Sequence, residues 1–353
     1  MHTKKWWLVA GSIVTFVILM MSGTAFAASA FSDGVSDSYK VIDKWKIGGN
    51  DGWDYMSVDP ATRQIYVTRG NHVLAIDTAT GKVVADITGF KGTHGVVFDT
   101  GGKLGYISDG GSNEVAVFDR RTHVVLVKIP TGANPDGLLY ESFTKTVWAF
   151  NGHGKSATVI DTRTNKVLFA IPLSGKPEFP VSDGKGSVFV NIENKSVLAH
   201  IDAKSMKVLA EWPLAPCESP SGLAIDSIHE KLFSVCDGKI MAVTDGTSGK
   251  VVAIVAIGDG PDASAFDPQR KLVFSSNGEG VLTIVRQLTP EKYSVLANVP
   301  TQRSARTMAL DEETGKVYLA AAQFGPRPIP TTTNPHPWPT ILSGSFVVLV
   351  VGK

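Results

Sequence analysis

Charge of either sign is scarce in this chain of 353 residues: only 19% of them are charged, and 34 Lys and Arg are balanced by 33 Asp and Glu. So even a balance offers no electrostatic footprint for nucleic acid or an anionic surface. Arg303 and Arg306 begin a basic patch, but the neighbouring carboxylates oppose it, and a nucleic-acid partner is not expected. Cysteine is scarcer still, with two residues, Cys217 and Cys236. The chain has no Cys-x-x-Cys pair, no His-Glu-x-x-His helix and no nucleophile elbow, which disfavours a haem or zinc enzyme of a standard kind. Long apolar runs are also missing beyond the first thirty residues, so no membrane span is expected in the mature chain.

The one apolar run, Leu8 to Met21, follows Lys4 and Lys5 and precedes the small residues Ala25-Phe26-Ala27 and Ala28-Ser29-Ala30. Basic start, short apolar centre and small residues together describe a secretory signal peptide over residues 1–30, cleaved to leave residues 31–353 as a single domain. The expected location is outside the cytoplasm, periplasmic or extracellular. Without the leader the count becomes 32 basic against 33 acidic residues.

What the chain has in abundance is repetition. Seven times a loop leads into a short apolar strand ending in an acid, at Asp59, Asp99, Glu141, Asp183, Asp226, Asp267 and Asp311, at intervals of 40, 42, 42, 43, 41 and 44 residues. A period near 40 filled with strands means one small sheet per repeat, unable to bury both faces until neighbours stack on it. The expected fold is therefore all-β, a seven-bladed β-propeller with four strands in each blade. In the first blade these are Tyr55 to Val58, Gln64 to Thr68, His72 to Ile76 and Val83 to Ile87. Turn residues such as Asp77 with Thr80, Asp119 with Thr122, Asp161 with Thr164, Asp202 with Ser205 and Asp245 with Ser248 suit local capping of backbone N–H groups rather than catalysis.

Ring closure is expected to combine the two chain ends. The last blade has strands from Asp311 to Gln323 and from Phe346 to Val351, and its missing outer strand is expected from residues 39–47. Between them, Gln323 to Gly344 carries six prolines, which excludes helix and favours an extended loop. It is either a plain surface insertion or a strap over one face with His336 and Trp338 as contact groups. Cys217 and Cys236 fall at the same end of one hairpin, where a disulfide is the favoured reading. Two buried thiols or a soft metal pair remain the alternatives.

The phrases Ile65-Tyr66-Val67-Thr68-Arg69, Val73-Leu74-Ala75-Ile76-Asp77 and Thr80-Gly81-Lys82, with Tyr106-Ile107-Ser108-Asp109 and Val115-Ala116-Val117-Phe118-Asp119, resemble the repeat of the YVTN propeller family, including its exported YncE-like members. The resemblance spans nearly the whole mature chain and implies a seven-bladed propeller. Proteins of this kind range from binding and surface proteins to lyases and lactonases, so activity has to be argued from the site. The sixth repeat departs from the pattern, with Val285-Arg286-Gln287 where the turn Asp is expected.

Just ahead of each inner strand one position forms a column around the expected axis: Asp54, His94, Asp136, Glu178, Ser221, Asp262 and Arg306, flanked by Gly or Pro. Packing alone would place small or apolar residues there. A second tier is expected at the ends of the second strands, near the same face but further from the axis: Arg69, Asp109, Asn151, Asn191, Asp237 and Asn277. Three chemistries fit the column. Asp54, His94, Asp136 and Glu178 suit a divalent cation such as Ca²⁺ or Mg²⁺. Crowded carboxylates also suit general acid–base work beside His94, with Arg306 orienting a substrate carboxylate or phosphate. Recognition of a cationic or sugar ligand without reaction is the third. The expected function is thus a monomeric, exported propeller binding a small ligand or a protein partner at the channel face, with a metal-assisted, lactonase-like hydrolase or lyase as the alternative. His153, in a glycine-rich turn that lacks the phosphate-loop pattern, and His72, His123, His200 and His229, on strands or turns, are expected to be structural.

Overall fold

A computed structural model describes residues 38–332, 337 and 339–353. The leader assigned to residues 1–30 lies outside these, as do His336 and Trp338 of the proline-rich insertion. Among the described residues no helix is long and apolar enough to cross a membrane.

In the first repeat the apolar and β-branched residues form the inner strand β2 (Met56–Asp59), then β3 (Gln64–Arg69), β4 (His72–Asp77) and the outer β5 (Val83–Ile87). The middle strands are buried along nearly their whole length while β5 is largely exposed, which is why the former read as continuous apolar runs and the latter as mixed. Five more four-stranded antiparallel sheets repeat the plan, within residues 93–130, 135–172, 177–213, 223–256 and 261–300, and residues 307–352 supply three strands of a seventh. Successive inner strands pack against one another, and the seventh, β26 (Thr307–Asp311), returns to β2 and closes the ring.

The seventh sheet is completed from the other end of the described chain, as expected. Its order is β1 (Lys40–Lys46), β28 (Val347–Gly352), β27 (Lys316–Ala321) and β26, with Lys40 opposite Gly352 and Lys46 opposite Val347. Every residue of β28 is buried, so β1 covers an apolar strand that would otherwise be an open edge. Trp45 of β1 packs on Tyr318 at 5.5 Å and also lies over Gly81, whose φ of 67° and contact with the indole leave no place for a side chain.

Two regularities hold the blades. The acids that end the inner strands cap the turns that follow: Asp59 accepts from Ala61 N and Thr62 Oγ1, Asp226 from the amides of Ile228 and His229, and Asp311 from that of Glu313. In addition the third residue of every second strand is a buried aromatic: Tyr66, Tyr106, Trp148, Phe189, Phe233, Phe274 and Tyr318. This ring of aromatics places one large apolar side chain in each blade's core.

The sixth blade shows what its missing turn Asp means. Its third and outer strands run on as β24 (Val281–Thr289) and β25 (Lys292–Pro300), nine residues each, and Gln287 is built into the lengthened hairpin. At the proline-rich insertion, Phe324 pairs with Ile341 and Gly325 N bonds Thr340 O, a short ladder whose Phe324 ring lies 6.0 Å from Trp53. Cys217 and Cys236 are disulfide-bonded, with Cα atoms 5.5 Å apart, tying the loop before the fifth inner strand to its own blade.

Candidate functional site at the channel mouth

The column is built by a repeated irregularity. Inner strands β6 (Thr93–Phe98), β10 (Pro135–Glu141), β14 (Pro177–Ser182) and β22 (Pro261–Asp267) each break register just past their first residue. Thr93 faces Asp109 and Val96 faces Ile107, so His94 and Gly95 share one partner position; Asp136 with Gly137 and Glu178 with Phe179 repeat this. Such bulges turn a side chain out of the sheet plane. All seven column residues are half-buried, and those of β6, β10, β14 and β22 each follow a buried residue. Gly137 permits the close approach of neighbouring inner strands, since a Cβ there would meet Glu178 O at 2.9 Å.

Asp54, His94 and Asp136, from three consecutive blades, converge. His94 Nδ1 lies 2.7 Å from Asp54 Oδ2 and 3.7 Å from Asp136 Oδ1, and one ligating atom from each of the three falls within 4.8 Å of the others. With Nδ1 donating to Asp54, Nε2 is left to accept from Asn134 Nδ2 at 3.5 Å. Asp136 Oδ1 is buried and accepts no hydrogen bond among the described residues.

The other column members divide differently. Glu178, grouped by sequence with the three metal candidates, is held by Lys176, whose Nζ lies 2.5 Å from Glu178 Oε1 and 2.7 Å from Glu193 Oε2. Arg306 Nη1 pairs with Asp262 Oδ2 at 2.5 Å, so the guanidinium expected to meet a substrate anion has an internal partner. Ser221 Oγ donates to Pro261 O at 3.1 Å and joins two lead-in loops.

The second tier holds loops. Arg69 donates to Gly48 O and Asp51 O and lies 3.7 Å over the Phe346 ring. Asp109 accepts the amides of Lys91 and Gly92. Asn191 donates to Ser221 O and Gly222 O, while Asn151 and Asn277 bond serine, threonine or backbone groups of their own sheets. Asp237 is exposed and bridges to Glu218. Five of these six are buried. Arg69, Asp109 and Asn191 thereby hold the loops that carry Asp54, His94 and Ser221.

One central residue escaped the sequence reading. Tyr55 follows Asp54, and the matching positions in the next two blades are Gly95 and Gly137, in the fifth Gly222. Its ring meets Phe179 edge-on at 5.3 Å. Burial, followed by the negative charges of Asp136, Glu178, Asp54 and Asp262, keeps the Tyr55 hydroxyl protonated well above its ordinary range. Carboxylates from four different blades act on one phenol because they surround it.

That crowding sets the protonation of the site. Burial, then Asp54, pushes Asp136 up to about 6, against the pull of His94 and Lys176. Burial and Asp136 raise Glu178, with Lys176 opposing. Burial outweighs Arg306 and lifts Asp262 to about 6. Burial works against a charged His94, yet the Asp54 hydrogen bond and the Asp136 charge together raise it. The arrangement can accept a cation, or hold a shared proton between carboxylate and imidazole near neutral pH.

No family model matches the chain, and no curated protein matches it. Solved structures do. Hydrazine synthase of Kuenenia stuttgartiensis is similar at 17% identity over 76% of this chain and 92% of that one, with a TM-score of 0.69. The WD40 repeats of RRP9 match at 11% identity over 90% and 98%, with a TM-score of 0.74, and U3-55K at 10% over 89% and 98%, with 0.73. Likeness at these identities carries the fold alone: a seven-bladed β-propeller.

Proposed function

We propose that this chain is an exported binding propeller of the YVTN, YncE-like kind, which takes a divalent cation, and through it a small oxygen-bearing ligand, at the channel mouth. The observation that carries this is the convergence of Asp54, His94 and Asp136 with a buried Asp136 oxygen left without a hydrogen-bond donor. Burying carboxylates beside each other without a compensating positive charge is costly, and a bound cation removes that cost. Two carboxylates suit Ca²⁺ or Mg²⁺, but the imidazole moves the fit towards Mn²⁺ or Zn²⁺. Export is supported by the leader-like residues 1–30 and by the disulfide. Metal analysis of the purified protein, with thermal unfolding before and after chelator, tests the reading. One ion per chain, lost in His94→Ala and Asp136→Asn, is the expected result. Full-length protein that neither retains nor is stabilised by any of the four ions would end it.

A second reading rests on protonation. Asp136, held near 6 beside His94, is placed to exchange a proton at neutral pH, which suits a hydrolase or lyase. Turnover of lactone substrates that is lost in Asp136→Asn, while ion binding by Glu178→Gln persists, would favour it.

A further inference from the structure

In the first five blades the residue just after the third strand, and in the lengthened sixth hairpin Gln287 within β24, occupies one equivalent place in the ring. Its amide bonds the carbonyl of the residue preceding its own second strand: Thr78 to Arg63, Arg120 to Lys103, Thr162 to Lys145, Ala203 to Gly186, Gly246 to Glu230 and Gln287 to Lys271. Two of these six side chains reach back across the seam into the preceding blade. Arg120 grips Asp59 with Nε at 2.9 Å from Oδ2 and Nη2 on Oδ1, donates to Asp99 O and Gly102 O, and lies 5.1 Å over the Phe98 ring. Gln287 Nε2 donates to Asp226 Oδ2 at 2.9 Å. In both cases the acceptor is the acid at the end of the preceding inner strand.

Between the fourth and fifth blades this side chain is missing, because the position is Gly246. What remains is a cavity of about 210 Å³ lined by Asp183, Phe189, His200, Ile225, Glu230 and Gly246, among others. Two of its parts, Asp183 and Phe189, correspond to Asp59 and Tyr66 beside Arg120, while Ile225 stands where Phe98 does. Asp183 stands where Asp59 does: Oδ1 accepts the amides of Lys185 and Ser187, and Oδ2 accepts no hydrogen bond among the described residues. Phe189 is the counterpart of Tyr66, the aromatic beside Arg120, and stacks on His200 at 4.7 Å and 18°, with Trp212 behind it at 5.2 Å. Glu230 supplies a second carboxylate, whose Oε2 accepts from Thr247 Oγ1. The Lys185 ammonium donates to Ser227 O, and burial holds His200 below its ordinary range and hence uncharged at neutral pH. Two carboxylates thus line the cavity together with the Phe189–His200 stack, and no Lys or Arg is among its described lining residues.

We propose that this cavity accepts a guanidinium group from outside the chain, filling between the fourth and fifth blades the place that Arg120 fills from within between the first and second. A planar fork of N–H donors matches Asp183 and Glu230, and its face matches the Phe189–His200 stack. Asp183 follows the strand that Glu178 opens, so the cavity lies roughly 16 Å from the channel mouth by strand rise, a separate site at the other end of the blade.

The test is calorimetric titration of the full chain with N-acetyl-arginine amide, using the citrulline analogue as its neutral isostere. Saturable binding of the arginine compound, at least about tenfold weaker for citrulline and for Asp183→Asn, is expected, since charge-assisted forks are the strong hydrogen bonds. Asn at 183 keeps the oxygen that caps the turn. Gly246→Arg should occupy the cavity itself, abolish binding and raise Tm; a Cβ at 246 meets Glu230 O at 3.1 Å and Phe189 at 3.6 Å, a fit that needs only small movement. Free L-arginine binding as well as the amide assigns a small guanidinium compound, whereas an Arg-containing tripeptide binding more tightly assigns a partner's side chain. Equal binding of citrulline, unchanged binding in Asp183→Asn, or no binding by the wild type overturns the proposal.

Discussion

Asp54 Oδ2 and His94 Nδ1 meet at 2.7 Å across the seam between the first and second blades, forty residues apart in the chain. The contact exists only because the ring brings successive lead-in loops together. It fixes the imidazole tautomer and aims its other nitrogen at Asn134.

The pair makes His94 a reporter. Burial opposes its charge, but Asp54 and Asp136 outweigh that and raise its folded pKa. The stability gained is therefore fully present below the unfolded value of about 6.5 and is lost as pH rises through the higher folded value. In metal-free protein, Asp54→Asn should shift the His94 titration, followed by NMR, to lower pH. An unmoved titration would contradict the contact.

Asp136 changes stability with pH in the same direction, but through a charged form that the fold disfavours. Its folded pKa of about 6 lies above the unfolded value, so the charged form costs stability; the cost is absent below about pH 4 and complete above about pH 7. Asp136→Asn should stabilise the metal-free protein by of order 2 kcal/mol at pH 8 and hardly at all at pH 4. Thermal unfolding at the two pH values checks this.

Asp59 and Arg120 are both buried, and removing one strands the other. Burial alone would raise Asp59, but Arg120 and Thr62 hold it below its ordinary range. Its stabilising effect is present above the unfolded carboxylate pKa and lost as pH falls through the lower folded value. Arg120→Met should cost about 3–5 kcal/mol in urea unfolding at pH 7, and adding Asp59→Asn should restore part of it.

Deleting residues 39–47 should leave β28 as a fully buried apolar strand suddenly at an edge. The expected outcome is aggregation seen by light scattering, with little monomer on gel filtration. A monomeric, cooperatively folding deletion variant would show that the seam closes without β1.

Much of this was legible in the chain. The spacing from Asp59 to Asp311 contains the blade count, and the Pro and Gly residues around Asp136 and Asp262 mark the turns that carry the column. The aromatic at the third place of every second strand was equally visible but is masked by the general apolar character of those strands. Lys176 gave no signal as a partner, because a lysine two residues from Glu178 is ordinary in sequence and is distinguished only by Glu193 arriving from the 3-10 turn Glu193–Lys195 of the same blade. Tyr55 stood out only by contrast with Gly95, Gly137 and Gly222, and Gly246 only by contrast with Arg120.

By itself the sequence determined the ring: a strand-filled repeat near 40 residues, with matching fragments at both ends, has no other way to bury every sheet face. Which column residues meet was decided by tertiary structure alone. Side chains on adjacent blades face one another across about 40 residues of chain, and whether a carboxylate finds an imidazole, an ammonium or nothing depends on bulge geometry and on the room left by glycines, distances that exist only once the ring has closed.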